Sequence, residues 1–342
     1  MRGKTPHIVQ YQGSKRLLAP QILQYMPHKF NRLFEPFSGM AAITIATAME
    51  NRADEYYIND INKPIVSILQ TAIDSPGALI EDYTKIWTQQ FLHPTGHLEH
   101  FYYIRERFNE GEQTAANMLY LLARCVKGSV RYGKNGNFNQ SPDKRRHGTN
   151  PKNIASNVYA ISSLLKGRAF FSAHDYRNIF EMAQPGDLVY MDPPYQGVSN
   201  TKDNRYFSGL SYEEFSESIK ILDRKSVDYI ISYDGECGDR EYGNDLPPSL
   251  NCTKFLLNAG TSTQSTLLGK RSITYESLYV SDNIAGKQQR VISIVSTGDE
   301  IEEYKRLVEV SGFGLSDKSK KLLPGSLESS DRSSIVHALC LA

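Results

Sequence analysis

Few features of this sequence point to a metal, a disulfide framework or a membrane. The 342 residues contain four cysteines, Cys125, Cys237, Cys252 and Cys340, and none form a C-x-x-C pair. Reduced, structural thiols are therefore expected rather than a disulfide set or a zinc knuckle. The apolar runs are far shorter than a membrane span requires. The segment Met1–His7 leads into no apolar signal stretch, so a soluble, cytoplasmic protein is expected. A net charge of +1 gives no global pull toward nucleic acid, so any such affinity must come from clustered charge. A nuclease would want metal-binding acids grouped near a lysine, and no such group stands out. His93, His97 and His100 have helical spacing, but no further cluster completes a metal site, and no metal is expected.

The length suits one large domain with an insert or a small second domain. Leu33–Pro36 reads as a strand. The Ala-rich stretch Met40–Met49 reads as a helix and Tyr56–Asp60 as a second strand. Strand, tight turn, helix and strand form the first unit of a parallel α/β sheet. Further strands are expected at Asp187–Met191, Tyr229–Tyr233 and Thr274–Val280. From Ile65 to about Lys127 the pattern is helical, and from Gly128 to Pro151 it is polar and loop-like. The expected organisation is a catalytic domain of residues 1–64 and 155–298 interrupted by an insert, 65–154. A C-terminal helix and loosely ordered tail, 299–342, would follow.

The turn Phe34-Glu35-Pro36-Phe37-Ser38-Gly39-Met40-Ala41 joins strand to helix through a glycine. Such a turn lets a ligand approach the backbone where helix N–H groups are unsatisfied. Alone it is equally a plain structural turn. Asp60, at the end of the next strand, follows Gly39 at the spacing at which a carboxylate accepts from the ribose hydroxyls of an adenosine cofactor. Its other possible role is to cap the following helix. Turn and acid together favour the ribose, and Glu35, Phe37, Gly39 and Asp60 become candidate cofactor residues.

The most specific signal is Asp192-Pro193-Pro194-Tyr195 at the end of an expected strand. An aromatic amine is a poor nucleophile because its lone pair is delocalised into the ring. The Asp192 carboxylate and the Pro193 carbonyl can both accept from such an NH2 and concentrate the lone pair on nitrogen. The two prolines fix the direction of the carbonyl. Tyr195 offers a face on which a flipped base can stack. The methyl donor would be S-adenosyl-L-methionine, and positioning with fixed dipoles would supply most of the rate.

Between Arg124 and Lys152 lie Arg124, Lys127, Arg131, Lys134, Lys144, Arg145, Arg146 and Lys152, opposed by Asp143 alone. Tyr132 and Phe138 are interleaved among them. A glycine-rich loop of this charge suits a phosphate backbone, and its Arg and Asn side chains suit base edges. Arg124, Lys127, Arg131, Tyr132, Lys144, Arg145 and Arg146 are therefore candidate contacts to double-stranded DNA.

Together these segments resemble the Dam-like (D12 class, alpha subgroup) adenine-N6 DNA methyltransferase family, from about Ile8 to Ser281. Tyr11-Gln12-Gly13-Ser14-Lys15 is similar to the family's cofactor motif, with Ser14 in place of a second glycine. Phe101–Asn109 is similar to its Tyr-Tyr-x-x-Arg-x-x-Phe-Asn segment. Lys127–Tyr132 with Gly136–Asn139 looks like its DNA-reading loop, and Ser272–Leu278 its final strand region. The resemblance implies a Rossmann-like sheet with an inserted, mainly helical recognition domain. It also implies that Tyr11, Lys15, Asp60 and Asp192 line the cofactor pocket. Gln10 stands where GATC-methylating members often carry a base-reading lysine, so it is a candidate DNA contact for a different short target. A restriction-modification system with a cognate endonuclease fits this departure at least as well as a solitary methyltransferase does. Other enzymes of the fold, acting on cytosine N4, RNA or a protein amide, more often carry Ser or Asn at the position of Asp192. A silent regulator would be expected to have lost Asp192 or Tyr195.

Overall fold

A computed structural model describes residues 4–194, 210–237, 240–261 and 273–286; Tyr195, Ser272 and the tail reading at 299–342 fall outside them. Strands β1 (Arg32–Glu35), β2 (Glu55–Asn59), β3 (Ala169–Ser172) and β4 (Leu188–Met191) run parallel, and β5 (Asp228–Cys237) joins β4 in the same sense. After a short return strand, β6 (Arg240–Tyr242), come β7 (Cys252–Thr261) and β8 (Ile273–Ser281), both antiparallel to their neighbours. The sheet order is β3-β2-β1-β4-β5-β8-β7, with β6 paired only to β5. This is the mixed α/β, Rossmann-like arrangement that the sequence implies.

The strands are short and apolar because both faces of the sheet are covered. Side chains alternate, so each strand feeds two cores. Leu188 and Tyr190 of β4 join a core with residues of α1 (Ala19–Ile22), α2 (Ala42–Met49), α3 (Lys63–Asp74) and α7 (Pro151–Leu165). Val189 and Met191 join the other, built on α8 (Tyr176–Met182) and α9 (Tyr212–Arg224). The start of α9 follows from its sequence. The Ser211 side chain accepts from the Glu214 N–H, and Glu213 and Glu214 occupy the positive first turn.

Between α3 and α7 the chain adds α4 (Pro76–Gln89), α5 (His97–Asn109) and α6 (Ala115–Arg124), with α6 almost wholly buried among the others. The limits read from the sequence, 65 and 154, both fall inside continuous helices, α3 and α7, which pack on each other.

The polar stretch after α6 folds back as a hairpin, with Tyr132 bridged to Phe138. One face of α5 holds it. The Asn109 side chain exchanges two hydrogen bonds with the backbone of Phe138, at 3.0 and 2.8 Å. The Phe108 ring meets that of Phe138, and Arg105 donates to the Gln140 carbonyl. Spacing of three and four residues puts these side chains on one helical face, which explains the Arg-x-x-Phe-Asn pattern structurally. Among the described residues, no helix is long and apolar enough to cross a membrane.

Candidate active site

Parallel strands end together, so β1, β2, β3 and β4 deliver their last residues to one edge of the sheet. From β1 the chain moves outward to β2 and β3, then returns to place β4 on the other side of β1. A crevice is expected where the order reverses, and Glu35 and Asp192 stand on either side of it. A cavity of about 640 Å³ lies there, within the usual size of a small-molecule site. Tyr11, Lys15, Glu35, Phe37, Gly39 and Asp60 all line it, together with Asp192, Pro193 and Pro194. Segments far apart in the chain thus converge on one cavity.

The turn after β1 is tied to the end of β2. Ser38 N–H donates to the Asn59 carbonyl and the Asn59 side chain to that of Pro36. Gly39 adopts φ +48°, and an added Cβ would lie 2.8 Å from the Tyr11 ring, so the glycine makes room for that ring. Ala41, where a second glycine is often found, is itself left-handed at φ 53°. In the structure Asp60 ties the turn together and is not itself the cap of the following helix. Its Oδ2 accepts from Gly39 N–H and its Oδ1 from Asn62 N–H, each at 2.9 Å, where Asn62 is the N-cap of α3. The carboxylate also faces the cavity.

The Lys15 ammonium lies between two carboxylates, 2.7 Å from Asp192 Oδ1 and 2.8 Å from Glu276 Oε1. Burial raises Asp192 to about 6, with Lys15 opposing and Glu276 adding to the rise. Glu35, fully buried with Thr44 Oγ1 and N–H donating to its Oε2, is pushed up to about 8 by burial. Burial also raises Asp60. Glu276 on β8 escaped the sequence reading, because a lone Glu in a strand carries no signal until the sheet brings it to Lys15. Asp175 at the N-cap of α8 was missed as well; it also lines the cavity and pairs with Arg177.

The basic residues divide. Gln10, Lys127, Arg131, Lys144, Arg145 and Arg146 are exposed. Arg124 is not. It is fully buried, with its guanidinium donating to the Asp143 carbonyl, so it holds the loop from beneath and is withdrawn from the DNA-facing set. Tyr132 is also relocated. Its hydroxyl donates to Asn62 Oδ1 and its side chain lines the cavity rather than the basic face. The N-terminal motif and the loop are packed together. Gln12 N–H donates to the Gly128 carbonyl, and a Cβ at Gly128 would fall 1.8 Å from the Gln10 oxygen, so only glycine fits. Neighbouring histidines form ring pairs, His93 with His100 and His97 with His147. Among the described residues no group of His, Cys, Asp or Glu is arranged to hold a metal.

Residues 11–257 match the family model described as D12 class N6 adenine-specific DNA methyltransferase. A curated relative, the type II methyltransferase M1.LlaDCHI of Lactococcus lactis subsp. cremoris, is 29% identical over 65% of this chain and 79% of its own length. The DNA N-6-adenine-methyltransferase of Escherichia phage P1 is 27% identical over 70% of this chain, a match that spans 31% of the phage protein. The DNA adenine methylase of Serratia marcescens is 26% identical over 66% of this chain and 78% of its own length. With its Asp-Pro-Pro segment at the strand-order reversal and a family match over most of its length, this chain belongs to the D12 class of N6 adenine-specific DNA methyltransferases.

Proposed function

We propose that this enzyme takes its methyl group from S-adenosyl-L-methionine and places it on adenine N6 within a short site in duplex DNA, in the cytoplasm, as the modification arm of a restriction system. The observation that carries the reading is the shared cavity, in which Asp192-Pro193-Pro194 faces the Gly39 turn and Asp60. The lining fits the donor. Its acids outnumber its cations, which suits a sulfonium, and a cationic ligand would favour the ionised forms of Glu35 and Asp192. Asp60 would hold the ribose hydroxyls, Tyr11 would cover the glycine turn, and Glu35 and Phe37 would complete the wall. The donor supplies a methyl group on a positively charged sulfur.

The rest is done by this chain. Asp192 Oδ1 is bonded to Lys15, and its Oδ2 would accept from the adenine amine alongside the Pro193 carbonyl. As nitrogen gains the methyl group and the C–S electron pair is left on the donor's sulfur, Asp192 would take the N–H proton that the amine loses. Tyr195 would stack on the flipped base. A cognate endonuclease is part of the proposal, and the name of the Lactococcus relative, a type II methyltransferase, supports that setting. Single-molecule sequencing of DNA from a host expressing the chain is expected to show N6-methyladenine in one short motif. Methylation absent from duplex DNA, or scattered without a motif, would remove this reading.

The loop residues have separable roles under the same proposal. Arg131 leads the hairpin and is exposed. A guanidinium bonded to guanine O6 and N7 discriminates by roughly 1–3 kcal/mol. Lys144, Arg145 and Arg146 are adjacent and exposed, so phosphates suit them better. Arg131→Ala is expected to relax the choice of one base across a library of single-base target variants. Neutralising the other three together should weaken all DNA alike and flatten the salt dependence. An even loss by Arg131→Ala across the library would make Arg131 a backbone contact.

A further inference from the structure

We propose that Glu276 is a positioning residue for methyl transfer: by sharing the Lys15 ammonium with Asp192, it keeps Asp192 a strong acceptor for the adenine amine. The inference rests on the catalytic reading of Asp192 above. Glu276 lies outside the residues that match the family, 11–257.

The geometry is specific. An ammonium bonded to one carboxylate alone would draw electron density from it and leave a poor acceptor. Here Lys15 Nζ is bonded to two carboxylates at nearly equal distances, 2.7 and 2.8 Å, and all three side chains are largely buried. Its pull is divided. Glu276 cannot drift away, because β8 is clamped between β5 and β7, with Glu276 in register with Gly235 and Leu257. At Gly235 a Cβ would lie 2.2 Å from the Tyr275 carbonyl oxygen, so the strands meet with no side chain between them. Lys15 is fixed in turn by the short helical turn Lys15–Leu17, which Ser14 caps. The charged and titratable groups facing Asp192 are Lys15, Glu276, Glu35 from β1 and Tyr190 from β4. Of these, Lys15 lowers Asp192, and Glu276 on the far side of the ammonium counters it. Glu276 therefore acts on the amine at second hand, by offsetting the pull of Lys15 on Asp192.

The pH dependence has a definite sign. Asp192 must be ionised to accept, so the single-turnover rate falls as pH drops through its pKa. In Glu276→Gln the ammonium acts on Asp192 alone, the pKa falls, and the acid limb of the rate profile moves to lower pH. At the plateau the weaker acceptor is expected to cost roughly 10- to 100-fold in rate, with KM for donor and DNA little changed. Glu276→Asp, which keeps the charge, should recover much of the loss. Adding Glu276→Gln to Lys15→Met should cost no further rate, since without the ammonium there is no pull on Asp192 for Glu276 to offset. A readout independent of turnover is the carbon-13 titration of the Asp192 carboxyl in the protein without donor, assigned by its loss in Asp192→Asn. Its midpoint should fall in Glu276→Gln. A rate profile superimposable on the parent's, an unchanged midpoint, or an aspartate variant as impaired as the glutamine one would overturn the proposal. If Asp192→Ala itself retained activity, the catalytic reading would fail first, and the two failures are told apart by that control.

Discussion

On the proposed mechanism Asp192→Ala is expected to reduce methyl transfer by about 10³-fold or more, because it would remove both the acceptor for the amine and the site for its departing proton. The fold should survive. Truncation leaves Lys15 bonded to Glu276 at 2.8 Å, so no buried ammonium is stranded. The strand that delivers Asp192 is held by Leu188, Val189, Tyr190 and Met191, all buried and none dependent on the carboxylate. Transfer of labelled methyl from S-adenosylmethionine to DNA, with thermal unfolding as the control, measures both. Activity near that of the parent in a folded variant would remove Asp192 from the reaction.

The second large effect is expected at Asp60. The sequence alone offers a ribose contact or a helix cap, and the structure gives its two oxygens to Gly39 and Asn62. Those bonds hold the turn that shapes the cavity, and lone pairs on the same oxygens remain for hydroxyl donors. Asp60→Ala should therefore lower both stability and cofactor affinity. The lost contact to a charged group is worth about 1.5–3 kcal/mol, or roughly 10- to 100-fold in the dissociation constant of S-adenosylhomocysteine. DNA affinity should change little. Calorimetry separates the two roles: a lower melting temperature with unaltered binding of the cofactor product would make Asp60 a turn-holding residue only.

What the sequence made legible follows from range. The β1–α2–β2 unit is local, and its glycine turn, Ala-rich helix and terminal acid were all readable. The Asp-Pro-Pro segment was readable because its residue types are rare together and it ends an apolar run. Strand β3 escaped notice because it is only four residues at the sheet edge. Strand β7 escaped because an edge strand with one well-buried residue, Leu257, shows no alternation. Arg124 was misplaced for a similar reason. Sequence shows that charges are neighbours, but not that the last turn of α6 points one of them inward beneath the Asp143 loop. Glu276 and the packing of Gly128 on Gln10 are tertiary facts, since the partners are separated by most of the chain or by all the elements up to α6.

The ion pairs of Lys15 also bear on how the enzyme comes into being. They join residues 15, 192 and 276, which the chain delivers at its start, its middle and near the end of its sheet. Strands β1 and β2 can pair early, but β4 must close a loop around the whole helical insert before it lies beside β1. Contacts of such long sequence separation form slowly and late. The Asp192 carboxylate therefore meets the Lys15 ammonium only after the insert has been made and the sheet has closed, and Glu276 joins them with β8. A nascent or truncated chain that ends before β8 carries the Asp-Pro-Pro segment without the charge arrangement around it, so on the role proposed for Glu276 full competence to methylate would arrive with the completed fold rather than grow with chain length.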